Sequence, residues 1–296
     1  MSGIYQLEFD KSIKFKVGNK AIFTCQKLKK RVMKKKSILI IAVLIVLSTY
    51  AHEYVLIASE FNVQRGDTLK LHLFVADGFN IELERPLQKE IIKKFELTTQ
   101  NTNIDLLAEN KDASYPILKR KVDFDGLGLI HMERGYSKIT LENKKFISYL
   151  EEDHIENINI QKSTKKEQRE RYSRYIKCLV QSGKSNEDTS YKIITGHQFE
   201  IILLQNPYKI QIGKSLQAQV FFKGIPLANK VITIRNRTGG ESATRQLSRT
   251  NANGICTFMI NRKGDWFIHA TQMIKCPEPS EADWESYWTS YSFGIK

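Results

Sequence analysis

The side chains best equipped for chemistry are the six histidines His52, His72, His131, His154, His197 and His269, with the thioethers of Met132 and Met273 as softer company. His52 stands apart by position. It follows MKKKSILIIAVLIVLSTYA at 33–51, which has the parts of an export signal: Lys34 to Lys36 as a positive start, an apolar run from Ser37 to Ser48, and small residues at Thr49 and Ala51 before a cut. The run falls short of the ~20 residues that span a bilayer, so it predicts a cleaved signal rather than an anchor. Cleavage after Ala51 makes His52 the mature first residue. Its free α-amine and imidazole then form a bidentate nitrogen chelate of the kind nickel, copper and cobalt favour. His72 and His131 lie on predicted strands of the same N-terminal domain and are the candidate further ligands. The other reading of each is a strand histidine satisfied by hydrogen bonds.

The elements that must position these groups read mainly as strands. Residues 54–76 alternate apolar and polar side chains about a turn at Arg65, Gly66 and Asp67. Further strands are predicted at 91–99, 103–108, 116–124, 127–132 and 136–141. Lys144 to His154 and Lys165 to Gln181 have helical spacing, the second with Tyr172, Ile176, Leu179 and Val180 beside a charged face and Gly183 as a stop. Strands return at 198–204, 208–212, 215–223, 230–236, 245–249, 254–260, 266–275 and 288–294. The pattern predicts a mainly β chain: a signal region at 1–51 with Met33 as its natural start, an N-terminal β-sandwich at 52–143, an α-helical insertion and linker at 144–190, and a C-terminal β-sandwich at 191–296.

Composition narrows the function. The net charge of +14 is concentrated in residues 1–51, which carry 11 Lys+Arg against 2 Asp+Glu. The remainder, at +5, calls for no nucleic-acid partner. No nucleophile elbow, phosphate-binding loop or His-Glu-x-x-His motif occurs, so the chain reads as a non-enzyme. Cys178, Cys256 and Cys276 remain after export, an odd number without a C-x-x-C. If 254–260 and 266–272 pair as a hairpin, Cys276 lies too far from Cys256 to bridge it, and all three are expected as buried thiols. Trp266 and Phe258 are expected in the core. The cluster of Trp284, Tyr287 and Trp288 reads as packing, with a carbohydrate-stacking platform as the other reading.

Several blocks then fall in a familiar order: Ala51 to Tyr54 (AHEY), the turn from Val63 to Asp67, Asp77 to Phe79, the helix from Phe146 to Ile155, ERYSRYIKCLVQSG from Glu170 to Gly183, QNPYKIQIGKSL from Gln205 to Leu216, GIPLANKVI from Gly224 to Ile232, and DWESYWTSYSF from Asp283 to Phe293. Together they resemble a bacterial extracytoplasmic family catalogued as a domain of unknown function and as NikM-like nickel/cobalt uptake components. The resemblance covers about 52–295. It implies a periplasmic or otherwise extracytoplasmic accessory protein that binds nickel or cobalt near its mature N-terminus, with His52 matching the family's histidine after the signal. It also implies inner- or outer-membrane transporter subunits as partners. Where members tend to show His-Met after the Gly-x-Trp strand, this chain has Gln272-Met273, with His269 three residues earlier. The C-terminal half is similar to Ig-like or transthyretin-like modules of exported proteins. The competing reading is a cell-envelope interaction module that binds glycan or a membrane partner through that half.

Overall fold

The computed structural model describes residues 53–184 and 187–296. The signal segment, its start at Met33, the cut after Ala51 and His52 itself lie outside the described residues. The first strands are β1 (Glu53–Ala58), the short β2 (Asn62–Val63), β3 (Thr68–Asp77) and β4 (Asn80–Arg85). The expected turn precedes β3: Asp67 N donates to Gln64 O at 3.0 Å, Gln64 N donates to Asp67 Oδ2 at 2.8 Å, and Gly66 takes a φ of 90° that suits glycine. β5 (Ile92–Thr98) and β6 (Asn103–Asp105) lead into a single helical turn, α1 (Leu106–Glu109), whose first amides are capped by Asp105. Next come β7 (Leu118–Lys121), the long β8 (Gly126–Glu142), α2 (Asn143–Glu152) and β9 (Glu167–Ser182). The chain continues through β10 (Phe199–Leu203), β11 (Lys214–Phe222), β12 (Ile225–Pro226), β13 (Val231–Arg237), β14 (Thr244–Arg249), β15 (Ile255–Ile260), β16 (Gly264–Lys275) and β17 (Trp284–Ile295).

Among the described residues these strands form three sheets. The largest has the order β14-β13-β16-β17-β9-β8-β5-β6, with β2 also on β9, and is antiparallel except where β9 meets β17 and β2. The other two are smaller: β1-β3-β4 with β7, and β10-β11-β12 with β15. The cores show how they stack. Ile130, Met132, Ile176, Cys178, Val180 and Phe267 of the large sheet pack with Val55, Leu71 and Leu73 of the first small sheet. Leu127, Leu129, Tyr175, Leu179, Trp266 and Ile268 point the opposite way and pack with Ile201, Leu216 and Phe258 of the second. The large sheet is therefore the middle layer of three, covered on both faces. Helix α2 buries Phe146, Tyr149 and Leu150 against Trp288 and Met273, beside the first small sheet. The described residues belong to one compact unit, Ala51–Lys296.

Three expectations are corrected. Residues 165–181, expected as a helix within the insertion, form the strand β9, bonded between β8 and β17. A strand covered on both faces shows no two-residue alternation, and its aromatic and β-branched residues suit a sheet. The hairpin expected from 254–260 and 266–272 does not form: β15 pairs with β11, and β16 pairs with β13 and β17. The three thiols are free and buried, although the hairpin from which that was argued is absent. Residues 208–212 are not a strand either. Pro207 opens a short 3-10 turn whose Tyr208 N is capped by Asn206 Oδ1 at 3.0 Å.

Candidate metal centre at the start of the first strand

β1 begins with a glutamate that faces inward. Its antiparallel register on β3 sets Glu53 opposite Ala76, and the residue is 7% exposed. Glu53 Oε2 accepts from Gly78 N at 3.2 Å, and Oε1 lies 2.9 Å from His269 Nε2. His269 reaches this point because β16 alternates: Trp266, Ile268 and Ala270 face the C-terminal core, while Phe267 and His269 face the first small sheet. Burial alone would raise the Glu53 carboxyl. The charge of His269 and the Gly78 amide outweigh it and hold the group at about 2. The imidazole contact is close but is not an aligned hydrogen bond, so Nε2 has no hydrogen-bond partner.

Other titratable groups surround this pair. Asp153, after α2, has its carboxyl raised by burial and by the charge of Glu53, against the pull of Lys230. Glu170, on β9, is pushed up to about 7 by burial and accepts hydrogen bonds from the hydroxyls of Tyr149 and Ser286. Lys230 Nζ donates to the carbonyl of His154 at 3.2 Å, and burial lowers its ammonium to about 8. A carboxylate kept ionised beside an imidazole nitrogen free of hydrogen bonds offers two donors for a borderline transition metal. Two donors do not make a site. Among the described residues no group of three His, Cys, Asp or Glu is placed to hold a metal ion. His52, the next residue before Glu53 in the chain, would supply further nitrogens.

The structure does not bring His72 and His131 to this place or to each other. His72 lies on β3 opposite Ile57, four residues from Ala76, so roughly 14 Å along the strand from Glu53 at ~3.4 Å per residue. Its Nδ1 is 2.7 Å from Glu84 Oε1 and its Nε2 is 3.1 Å from Ser59 Oγ, which occupies both nitrogens. His131 lies on β8 and faces the C-terminal core, on the other side of the middle sheet. Its Nε2 meets Thr98 Oγ1 at 3.0 Å, and its ring stands 5.5 Å from that of His197. Burial, then the charges of Lys177 and Lys94, lower it to about 3. A middle layer between the two rings rules out a shared ion. Sequence reasoning named His269 only as one histidine among several. Its partner comes from the opposite end of the chain, and no local pattern announces such a pair.

The aromatic cluster is packing. Trp288 stacks on Tyr149 with centroids 5.8 Å apart, Trp284 on Phe146 at 6.1 Å, and Tyr287 meets Phe222 edge-on at 5.0 Å. Trp284 Nε1 donates to Gln168 Oε1 at 2.8 Å. Rings engaged in this way leave no platform on which a sugar could stack.

Comparison with known proteins adds a family and little else. The family described as a domain of unknown function, DUF4198, matches residues 49–274. No curated protein matches the chain. Among solved structures, the D0-D1 domain of Intimin is similar at 9% identity over 81% of this chain and 97% of that one, with a TM-score of 0.19, too low to carry an argument.

Proposed function

This chain belongs to the DUF4198 family, and from that premise we propose that it is an exported accessory or binding component of a nickel or cobalt uptake system that takes the metal at its mature N-terminus. The observation that carries the reading is the Glu53–His269 pair, buried where the chain enters β1 and adjacent in sequence to His52. An α-amine and imidazole from His52, an imidazole from His269 and a carboxylate from Glu53 form a mixed nitrogen and oxygen set that suits nickel or cobalt. The NikM-like resemblance points the same way, as does the export signal. In this reading the two small sheets make sandwiches of Ig-like or transthyretin-like kind that share the middle sheet, and membrane transporter subunits receive the metal. The glycan-binding alternative is the weaker one, because Trp284 and Trp288 stack on α2 and Tyr287 packs against Phe222.

The test is a calorimetric titration of Ni²⁺ and Co²⁺ into mature protein that begins at His52, with the start checked by intact mass. We expect one-to-one binding that disappears in His52→Ala and weakens at least about tenfold in His269→Ala, the loss of one good ligand bond. Binding that ignores both changes, or no binding at all, removes the site and with it the uptake reading.

A further inference from the structure

Among the described residues two lysines are buried, Lys177 and Lys230, at 1% and 6% exposed. Taking an ammonium out of water is costly unless acceptors meet it. Lys177 is met fully: Glu200 Oε1 lies at 2.5 Å, and the carbonyls of Ile193 and Ile201 at 3.2 Å. Lys230, just before β13, is not. Its Nζ donates to the carbonyl of His154 at 3.2 Å, and it belongs to no described ion pair. An ammonium carries three donors, so two are left over. Burial lowers the group to about 8, the direction expected of a cation short of partners.

Lys230 lines a pocket of about 250 Å³. That is smaller than the ~300–1,000 Å³ of sites for drug-sized ligands, so it suits a small molecule. One wall is the loop after α2, at His154, Glu156 and Asn157. The other is the turn from Leu227 to Val231 that opens β13, and Gln272 of β16 completes the lining. Arg249 on β14 clamps the two walls together. It donates to both oxygens of Glu156 at 2.7 and 2.8 Å, and to the carbonyl of Asn229 at 3.0 Å. One residue on each wall, His154 and Asn229, holds a left-handed backbone, with φ of 51° and 58°. Residues other than glycine keep that conformation only where their surroundings dictate it, and such positions gather at ligand sites.

The lining selects the ligand. Glu156, its one carboxylate, has both oxygens on Arg249, so the unanswered charge is the positive one on Lys230. The Gln272 amide makes no described hydrogen bond and offers a further donor, while Leu227 and Val231 offer apolar contact. We propose that this pocket binds a small organic carboxylate, with Lys230 as its counter-charge, Gln272 as a second donor, and Leu227 and Val231 against its carbon body. A charge-assisted bond to a carboxylate is the interaction a buried ammonium lacks here. The site uses none of His52, Glu53 and His269, so it stands or falls apart from the metal reading.

Thermal unfolding of the mature protein at constant ionic strength tests it, with chloride replaced stepwise by acetate, lactate or succinate, and separately by inorganic phosphate or sulfate. We expect a saturable rise in Tm with at least one of the carboxylates. Lys230→Met keeps an unbranched stem and drops the charge. It should fold, because the ammonium it removes is underpaired, and its saturation should be lost or move about tenfold or more to higher concentration. Gln272→Ala, at a half-buried position, should move it about threefold, and keeps the test decisive if Lys230→Met does not fold. Lys214→Gln, at an exposed lysine that starts β11, should respond as the parent does. A rise with phosphate or sulfate but with no carboxylate overturns the proposal. So does a Tm that follows ionic strength alone, or unchanged saturation in Lys230→Met or Gln272→Ala.

Discussion

Lys177 and Glu200 meet at 2.5 Å in a space where each is almost wholly buried, and the Lys177 ammonium also donates to the carbonyls of Ile193 and Ile201 at 3.2 Å. That ion pair is closed and satisfied. The two imidazoles beside it are not. His197 has no partner for either nitrogen, and His131 has none for Nδ1. Burial lowers both, with the charge of Lys177 next in importance. The consequence for stability has a definite sign. The folded protein refuses a proton on His131 until about pH 3, while the unfolded chain accepts one below about 6.5, so acid lowers stability through that window. His197 acts in the same direction. Glu170 opposes them: raised from 4.5 to about 7, it keeps its proton in the fold, so stability falls as pH rises from 4.5 to 7. A variant isolates the histidine part. His197→Phe removes an unsatisfied polar ring packed between Tyr175 and His131, so it should match or exceed the parent by about 1 kcal/mol at pH 7 and lose less on going to pH 5. Urea unfolding at both pH values checks this, and parallel losses in the two proteins would refute it.

At the scale of elements, β9 holds the layers together, and its charged residues are tolerable because neighbouring elements answer them. Arg171 donates to Glu285 at 2.9 and 2.6 Å and to Glu278 at 2.8 Å, Glu170 is met from β17 and α2, and Lys177 is met from β10. β1 depends on β17 in another way. Its edge carbonyls at Tyr54 and Leu56 accept from the hydroxyls of Ser290 and Ser292, which supplies the bonds a further strand would otherwise make. This close approach has a steric condition at Gly294, where a Cβ would stand 2.7 Å from Phe61 Cβ and 2.8 Å from its ring. Gly294→Ala should therefore cost about 1–3 kcal/mol, as overpacked sites do. Gly240→Ala, with nothing within 4 Å, should be close to neutral. Equal melting temperatures for the two would contradict the packing described.

For the whole molecule, the shared middle sheet decides what can fold alone. Residues 191–296 contain many strands and a large core, and look self-sufficient by sequence. Without β9, the edge of β17 from Trp284 to Ser292 loses its parallel partner, and the core loses Leu127, Leu129, Tyr175 and Leu179. A chain of 191–296 should therefore lack a cooperative melt of its own, whereas residues 53–296 should unfold in one calorimetric transition. A sharp, reversible transition in the isolated 191–296 chain would show that the halves are independent after all.

Local patterns were enough for much of this protein. Alternation marked most of the strands, turn chemistry marked Arg65 to Asp67, and helical spacing marked α2. Phe258 and Trp266 were placed in the core because large aromatic rings are usually buried, and they are 4% and 0% exposed. Each of these depends on residues close in the chain, so the sequence by itself determined them. What it could not determine depends on distant residues. β9 reads as a helix because burial on both faces erases the two-residue period, and because the partners that neutralise its charges come from β10, β17 and α2. Likewise, nothing near Glu53 names His269. Those juxtapositions exist only once three layers are stacked, and the tertiary structure alone decided them.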